Sequence, residues 1–157
     1  MVDGRVIYLI QSHKILTMNI KTDYIQFTSM GHNDIINITD EVTAILKNSY
    51  FKEGNVLISA IGSTTGITTL EYEPGLVNTD VNEMFELFAP YGKNYRHNLT
   101  WGDDNGGAHL RSMLTGTSIT IPFINGELIL GTWQQIVFID FDTRPRSRRV
   151  VVQITGK

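Results

Sequence analysis

A chain of 157 residues, 41% hydrophobic and 18% charged, has apolar material for one sizeable core, so residues 1–157 are expected to form a single domain. Its formal net charge of -3 and pI near 5.7 exclude a broad basic face, and nucleic acid is not an expected partner. With no cysteine, disulfides, thiolate metal sites and cysteine nucleophiles are excluded. No apolar run is long enough to span a bilayer, and Met1-Val2-Asp3-Gly4-Arg5 lacks the pattern of a signal peptide. The expected location is therefore cytoplasmic, with no membrane partner.

Arg5 to Ile10 and Ile15 to Ile20 carry β-branched, apolar patterns that predict two strands, expected to pair. Asp34 to Ile38 predicts another. Thr39 then resembles an N-cap, with Asp40 and Glu41 favourably placed against the helix dipole and Val42, Ile45 and Leu46 at helical spacing. After a turn at Lys52 to Asn55, Val56 to Ile61 and Ile67 to Tyr72 predict strands separated by the polar loop Gly62 to Gly66. Glu73-Pro74-Gly75 ends the second strand, because proline cannot donate to a ladder.

Asn78 or Thr79 is placed to cap a further helix, in which Val81, Met84, Phe85 and Phe88 form an apolar stripe expected to pack in the core. A polar segment follows. His109 to Leu114 predicts a short helix closed by Gly116, and Ser118 to Phe123 and Glu127 to Leu130 flank an Asn125-Gly126 hairpin turn. Gln134 to Phe141 and Arg148 to Ile154 complete the strands. Strands at both ends with helices between predict an α+β fold, a mixed or mainly antiparallel sheet covered by about three helices. Apolar strands near both termini leave edges to protect, and a homo-oligomer is the expected solution.

Polar chemistry concentrates between Tyr95 and Gln134, where Arg96, His97, Asp103, Asp104, Asn105 and His109 bring together guanidinium, imidazole, carboxylate and amide groups. Two histidines there can bind a metal, move protons or hold an anion. If Asp104 or Asn105 caps the helix, Gly106 and Gly107 expose backbone N–H groups to a phosphate, and the positive helix end favours a neutral His109. Magnesium would select the carboxylates Glu71, Asp103 and Asp104, whereas zinc would accept His97 and His109. At least one of Asp103 and Asp104 is expected to serve as a cap.

Ser63 and Thr64 offer hydroxyls to a phosphate, although their loop lacks a Walker lysine. Trp133 and Gln134 offer a stacking surface and an amide, against the ordinary expectation of a core tryptophan. Arg144, Arg146, Arg148 and Arg149 form the one dense positive cluster, which reads either as a phosphate grip or as a solvated turn.

Gly62-Ser63-Thr64-Thr65-Gly66-Ile67-Thr68, Glu71, Tyr95-Arg96-His97, Asn105 with Ala108-His109-Leu110, Gly116-Thr117-Ser118 and Gly131-Thr132-Trp133-Gln134, in that order, resemble the YjbQ-like family, also called the secondary thiamine-phosphate synthase family. The resemblance runs from roughly residue 34 to the C-terminus. It implies an α+β subunit assembled as a homotrimer, with polar residues near a subunit boundary and a weak thiamine-phosphate synthase activity. By that analogy Glu71, His97 and His109 are catalytic. His97 and His109 also hold a divalent metal, magnesium or zinc, and Ser63, Thr64, Arg96, Asn105, Gly106, Trp133 and Gln134 bind a phosphorylated small molecule. In one departure, many family members carry histidine where this chain has Ser63. A metal-assisted hydrolase and a non-enzymatic trimer that binds a phosphorylated metabolite are the alternative readings.

Overall fold

A computed structural model describes residues 19–157 as two antiparallel sheets with four α-helices. The larger sheet runs in the order β1 (Asn19–Ser29), β8 (Arg146–Gly156), β3 (Glu53–Ala60), β5 (Ser118–Ile124), β6 (Glu127–Leu128). The smaller runs β2 (Asp34–Asn37), β7 (Gln134–Asp140), β4 (Thr65–Glu71). Every pairing is antiparallel, in keeping with the expected α+β class. The helices are α1 (Thr39–Lys47), α2 (Val81–Phe88), α3 (Arg96–Trp101) and α4 (Gly106–Thr115), and no helix among the described residues is long and apolar enough to cross a membrane.

The period of two along β7 explains how the layers stack. Ile136 and Phe138 join the main core with Val42 and Leu46 of α1 and with Val56, Ile58, Val150, Val152 and Ile154 of the larger sheet. Val137 and Ile139 point the other way, into a second cluster with Phe85 of α2 and Ala108 of α4. A strand buried on both faces needs a continuous apolar run, and Ile136-Val137-Phe138-Ile139 supplies it. Full burial of each such side chain contributes about 1.5–3 kcal/mol, so β7 is the middle layer that binds the larger sheet to the helices.

Several expectations shift. The strand expected at Arg5 to Ile10, and residues 15–18 of the next, lie outside the described residues. Of the second, Asn19 and Ile20 are described and open β1, which pairs with β8 from Asn19↔Gly156 to Ser29↔Arg146; the expected pairing of the two strands lies outside the described residues. Polar residues interleave along most of β1, and only Ile25 and Ser29 are buried, which obscured its strand pattern. Helix α1 begins one residue earlier than expected, with Thr39 inside it and Asn37 Oδ1 accepting the Thr39 N–H at 3.0 Å. At α2 neither Asn78 nor Thr79 caps. A π-helical turn at Leu76–Asp80 leads into the helix, and Glu73 accepts the N–H groups of Gly75 and Leu76 at 2.8 and 2.5 Å. The apolar stripe of α2 also divides: Phe85 is buried, but Met84 is 45% and Phe88 68% exposed. Asn125 and Gly126 do form the expected tight turn, both with positive φ.

Candidate functional site

Helices α3 and α4 form a hairpin, turned by Gly102 in the left-handed region at φ +68°. The first residue of α4 must be small: a Cβ on Gly106 would stand 2.6 Å from Tyr95 Cβ and 2.8 Å from Asn98 Oδ1. This close approach sets the rings of His97 and His109 4.4 Å apart, inclined at 56°. His97 Nε2 lies 3.6 Å from Asp103 Oδ2, within ion-pair reach and too long for a hydrogen bond. Three buried polar atoms of this hairpin have no partner among the described residues: His97 Nε2, Asp103 Oδ1 and Asn105 Oδ1. The two oxygens accept only, so the cluster is suited to a cation or to a hydrogen-bond donor.

The start of α4 is not the open phosphate cradle that its glycines suggested. Gly106 N–H donates to Asn98 Oδ1 at 3.1 Å, and Gly107 packs beneath the carbonyls of Ala89 and Pro90. Asn105 occupies the cap position without a side-chain cap bond. Asp104 does not cap either: it accepts the Thr143 hydroxyl at 2.6 Å, tying this loop to the β7–β8 turn. Among the described residues no three His, Cys, Asp or Glu side chains stand together as a metal-binding set.

Ser63 and Thr64 diverge. Ser63 is exposed and shares with His109, Ser112 and Met113 an open recess of about 430 Å³. Thr64 is buried, and its hydroxyl accepts from Arg148 at 3.0 Å. The arginine tract is largely committed to structure. Arg148 donates twice to Asp140 at 2.6 Å, Arg146 donates to Asp142 at 2.8 Å, and Arg149 lies 5.1 Å over the Tyr24 ring. Ser29 also donates to Asp140. Arg144 differs, lining a polar recess with Gly102, Asp103, Asp104 and Thr143. Arg96 is exposed at the start of α3.

Glu71, Trp133 and Gln134 stand elsewhere in the subunit. Glu71 ends β4, six residues beyond Thr65, or about 20 Å at 3.3 Å per residue. It lines a second recess of about 280 Å³ with Asn37, Tyr72, Glu73, Trp133 and Gln135. Trp133 is 70% exposed, so the core role is set aside. Gln134 is engaged on both sides, donating to Thr69 of β4 at 2.8 Å and accepting the Gly131 N–H of its own turn at 3.0 Å. One subunit therefore gathers His97, His109, Asp103, Asn105 and Ser63 at one end of β4 and Glu71 with Trp133 at the other.

Arg111 is a residue the sequence did not single out. Fully buried on α4, it donates to Ala89 O at 2.8 Å, Asn33 Oδ1 at 2.9 Å and Glu86 at 2.5 Å, with its guanidinium 3.8 Å from the Tyr91 ring centre. These contacts hold α4 to the end of α2, and so fix the helix that carries His109. Nothing in its spacing separates it from a solvated helical arginine. Burial pushes the Tyr91 phenol up to about 12 against the opposing charge of Arg111, and its hydroxyl donates to Phe141 O at 2.8 Å, so it remains protonated.

The family model for UPF0047 protein YjbQ-like matches residues 23–157. A UPF0047 protein of Archaeoglobus fulgidus is 42% identical over 76% of this chain and 90% of its own length. The UPF0047 protein YugU of Bacillus subtilis is 33% identical over 84% of this chain and 97% of its own. A crystal structure of a YbjQ-like protein of unknown function from Sulfolobus solfataricus superposes with a TM-score of 0.84 at 32% identity, over 90% of this chain and all of that one.

Proposed function

The chain belongs to the UPF0047 YjbQ-like family, and from that premise we propose that it is a transferase of the thiamine-phosphate synthase type, with this as a secondary activity. In the reaction the methylene C–O bond of a hydroxymethylpyrimidine diphosphate breaks, and its electron pair leaves with pyrophosphate. The thiazole phosphate nitrogen then forms the new C–N bond with its lone pair. The difficult part is the charge on the leaving group, so the site must stabilise a polyanion.

One observation carries this reading: along the α3–α4 hairpin, His97 Nε2, Asp103 Oδ1 and Asn105 Oδ1 are each buried without a partner among the described residues. A zinc site ordinarily takes three or four protein ligands, and the described residues supply no such set. Magnesium suits the residues present better, because it is held by one or two carboxylates and completes its shell with water and substrate phosphate oxygens. Asp103 is the residue that would hold it, with Asn105 accepting from its water shell. A bound magnesium ion would neutralise charge on the departing pyrophosphate. The imidazoles of His97 and His109 donate to phosphate oxygens, and Ser63 adds a hydroxyl across the recess it shares with His109.

Ring recognition falls to Trp133, whose exposed indole offers a stacking face beside Glu71. The separation of about 20 Å along β4 is too long for one small substrate to bridge. Assembly as a homotrimer, in which a neighbouring copy presents Trp133 and Glu71 to the histidines, is therefore part of the proposal. The test is pyrophosphate release from the pyrimidine diphosphate with and without the thiazole phosphate. Release that requires both substrates supports the transferase. Release without the thiazole would indicate a hydrolase, and binding without release would indicate a metabolite-binding assembly.

A further inference from the structure

We infer that Arg144 binds the far phosphate of a magnesium-bound diphosphate, in the recess it lines with Gly102, Asp103, Asp104 and Thr143, and that it separates diphosphates from monophosphates. The arginine tract of the sequence reads either as a phosphate grip or as a solvated turn, and the structure divides it. Arg146 pairs with Asp142, Arg148 pairs with Asp140, and Arg149 lies over Tyr24. Arg144 is exposed, and among the described residues no carboxylate pairs with it.

The backbone that carries this side chain is fixed from three sides. Just before it, the Thr143 N–H donates to Asp142 Oδ1 at 2.8 Å and the Thr143 hydroxyl donates to Asp104 Oδ1 at 2.6 Å. Just after it, Pro145 restricts the Arg144 backbone, and Arg146 donates to Asp142 Oδ2 at 2.8 Å. Beneath it lies Gly31 at φ +76°, where a Cβ would stand 2.5 Å from Asp142 O and 2.9 Å from Arg144 O. The root of the side chain is thus held beside the α3–α4 loop, and less freedom is lost when the guanidinium closes on a ligand.

Charge selects the ligand. The recess of about 500 Å³ is lined by two carboxylates and one guanidinium. A bare anion would face Asp103 and Asp104, and a bare magnesium ion would face Arg144. A metal-bound phosphate carries both halves: a cation for Asp103, whose Oδ1 has no partner among the described residues, and paired oxygens for the planar guanidinium. Asp103 also belongs to the histidine cluster, with Oδ2 3.6 Å from His97 Nε2. A diphosphate therefore extends from the histidines past Asp103 to Arg144, whereas a monophosphate at the histidines stops short of it. The inference rests on the proposed function for the identity of the ligand, and adds to it the residue that reads the second phosphate.

Calorimetry of the full chain with inorganic pyrophosphate and magnesium is the test, comparing wild type, Arg144→Gln, Arg144→Lys and Arg149→Gln. The last removes the same charge at an exposed residue outside the recess. Arg144→Gln should weaken pyrophosphate at least about tenfold, the effect of a lost charged hydrogen bond, with its urea midpoint unchanged. Arg144→Lys should fall between it and wild type, because the charge remains and the fork is lost. Arg149→Gln should stay within about twofold of wild type, as should the affinity of Arg144→Gln for inorganic phosphate. No pyrophosphate binding by wild type, equal affinity in Arg144→Gln, equal losses for phosphate and pyrophosphate, or equal affinity with and without magnesium would each overturn the inference. Turnover by wild type with unchanged pyrophosphate affinity in Arg144→Gln would overturn it and leave the reaction standing. Arg144-dependent affinity without turnover would overturn the reaction and leave the diphosphate recess standing.

Discussion

His97 and His109 stand twelve residues apart in the chain, yet their rings meet at 4.4 Å because Gly106 lets α4 lie directly against Tyr95 and Asn98. Gly106→Ala should therefore destabilise the protein by about 1–3 kcal/mol, the usual cost of forcing a methyl group into packed surroundings. The urea midpoint checks this. An unchanged midpoint with lost phosphate binding would return Gly106 to a ligand role.

Trp133 makes the opposite case, since a 70% exposed indole contributes little to the fold. Trp133→Ala should leave stability within about 0.5 kcal/mol of wild type while weakening a heterocyclic ligand by about 1–3 kcal/mol, the range for a lost stacking contact. Inorganic pyrophosphate binding, followed by calorimetry, should not change. Equal losses for both ligands would contradict stacking.

The fold class was legible because β7 and β8 carry long apolar runs and Asn125-Gly126 marks its turn. Helix α3 was not, because Arg96-His97-Asn98-Leu99-Thr100-Trp101 has no buried residue to create a stripe. Spacing alone also misread Met84 and Phe88, since an apolar stripe has the same pattern whether its residues are buried or exposed. The histidines and Asn105 were visible as polar residues with no structural need. Asp103 was visible too, but its meeting with His97 depends on the Gly102 turn. The division of Ser63 from Thr64 depends on Arg148, 84 residues from Thr64, which no local pattern reveals.

Asp142 carries a predicted acid dependence. Burial alone would raise its carboxyl, but hydrogen bonds from Arg146 and the Thr143 N–H, with the charges of Arg146 and Arg148, more than offset this and hold it below the ordinary value. The unfolded chain then binds the proton more readily. The contribution is fully present above the unfolded value of about 4 and is lost as pH falls through the folded value. Asp142→Asn should be less stable than wild type at neutral pH, with the gap in urea midpoint closing below about pH 4. A gap that stays constant with pH would remove Asp142 from the acid response.

Ser63 faces His109 across an open recess. Ser63→His should place a third imidazole near His97 and His109 and create the zinc set that the described residues lack. Zinc affinity by calorimetry should rise at least tenfold, about 1.4 kcal/mol. Unchanged affinity would mean that position 63 cannot reach the pair.

The most direct test of the central claim is pyrophosphate-releasing turnover with magnesium, compared between wild type and His97→Ala/His109→Ala from matched preparations with folding verified. Turnover in wild type that is lost in the folded double variant is the predicted result. Equal turnover in both, or none in wild type, would contradict the assignment of the α3–α4 histidine cluster as the active site.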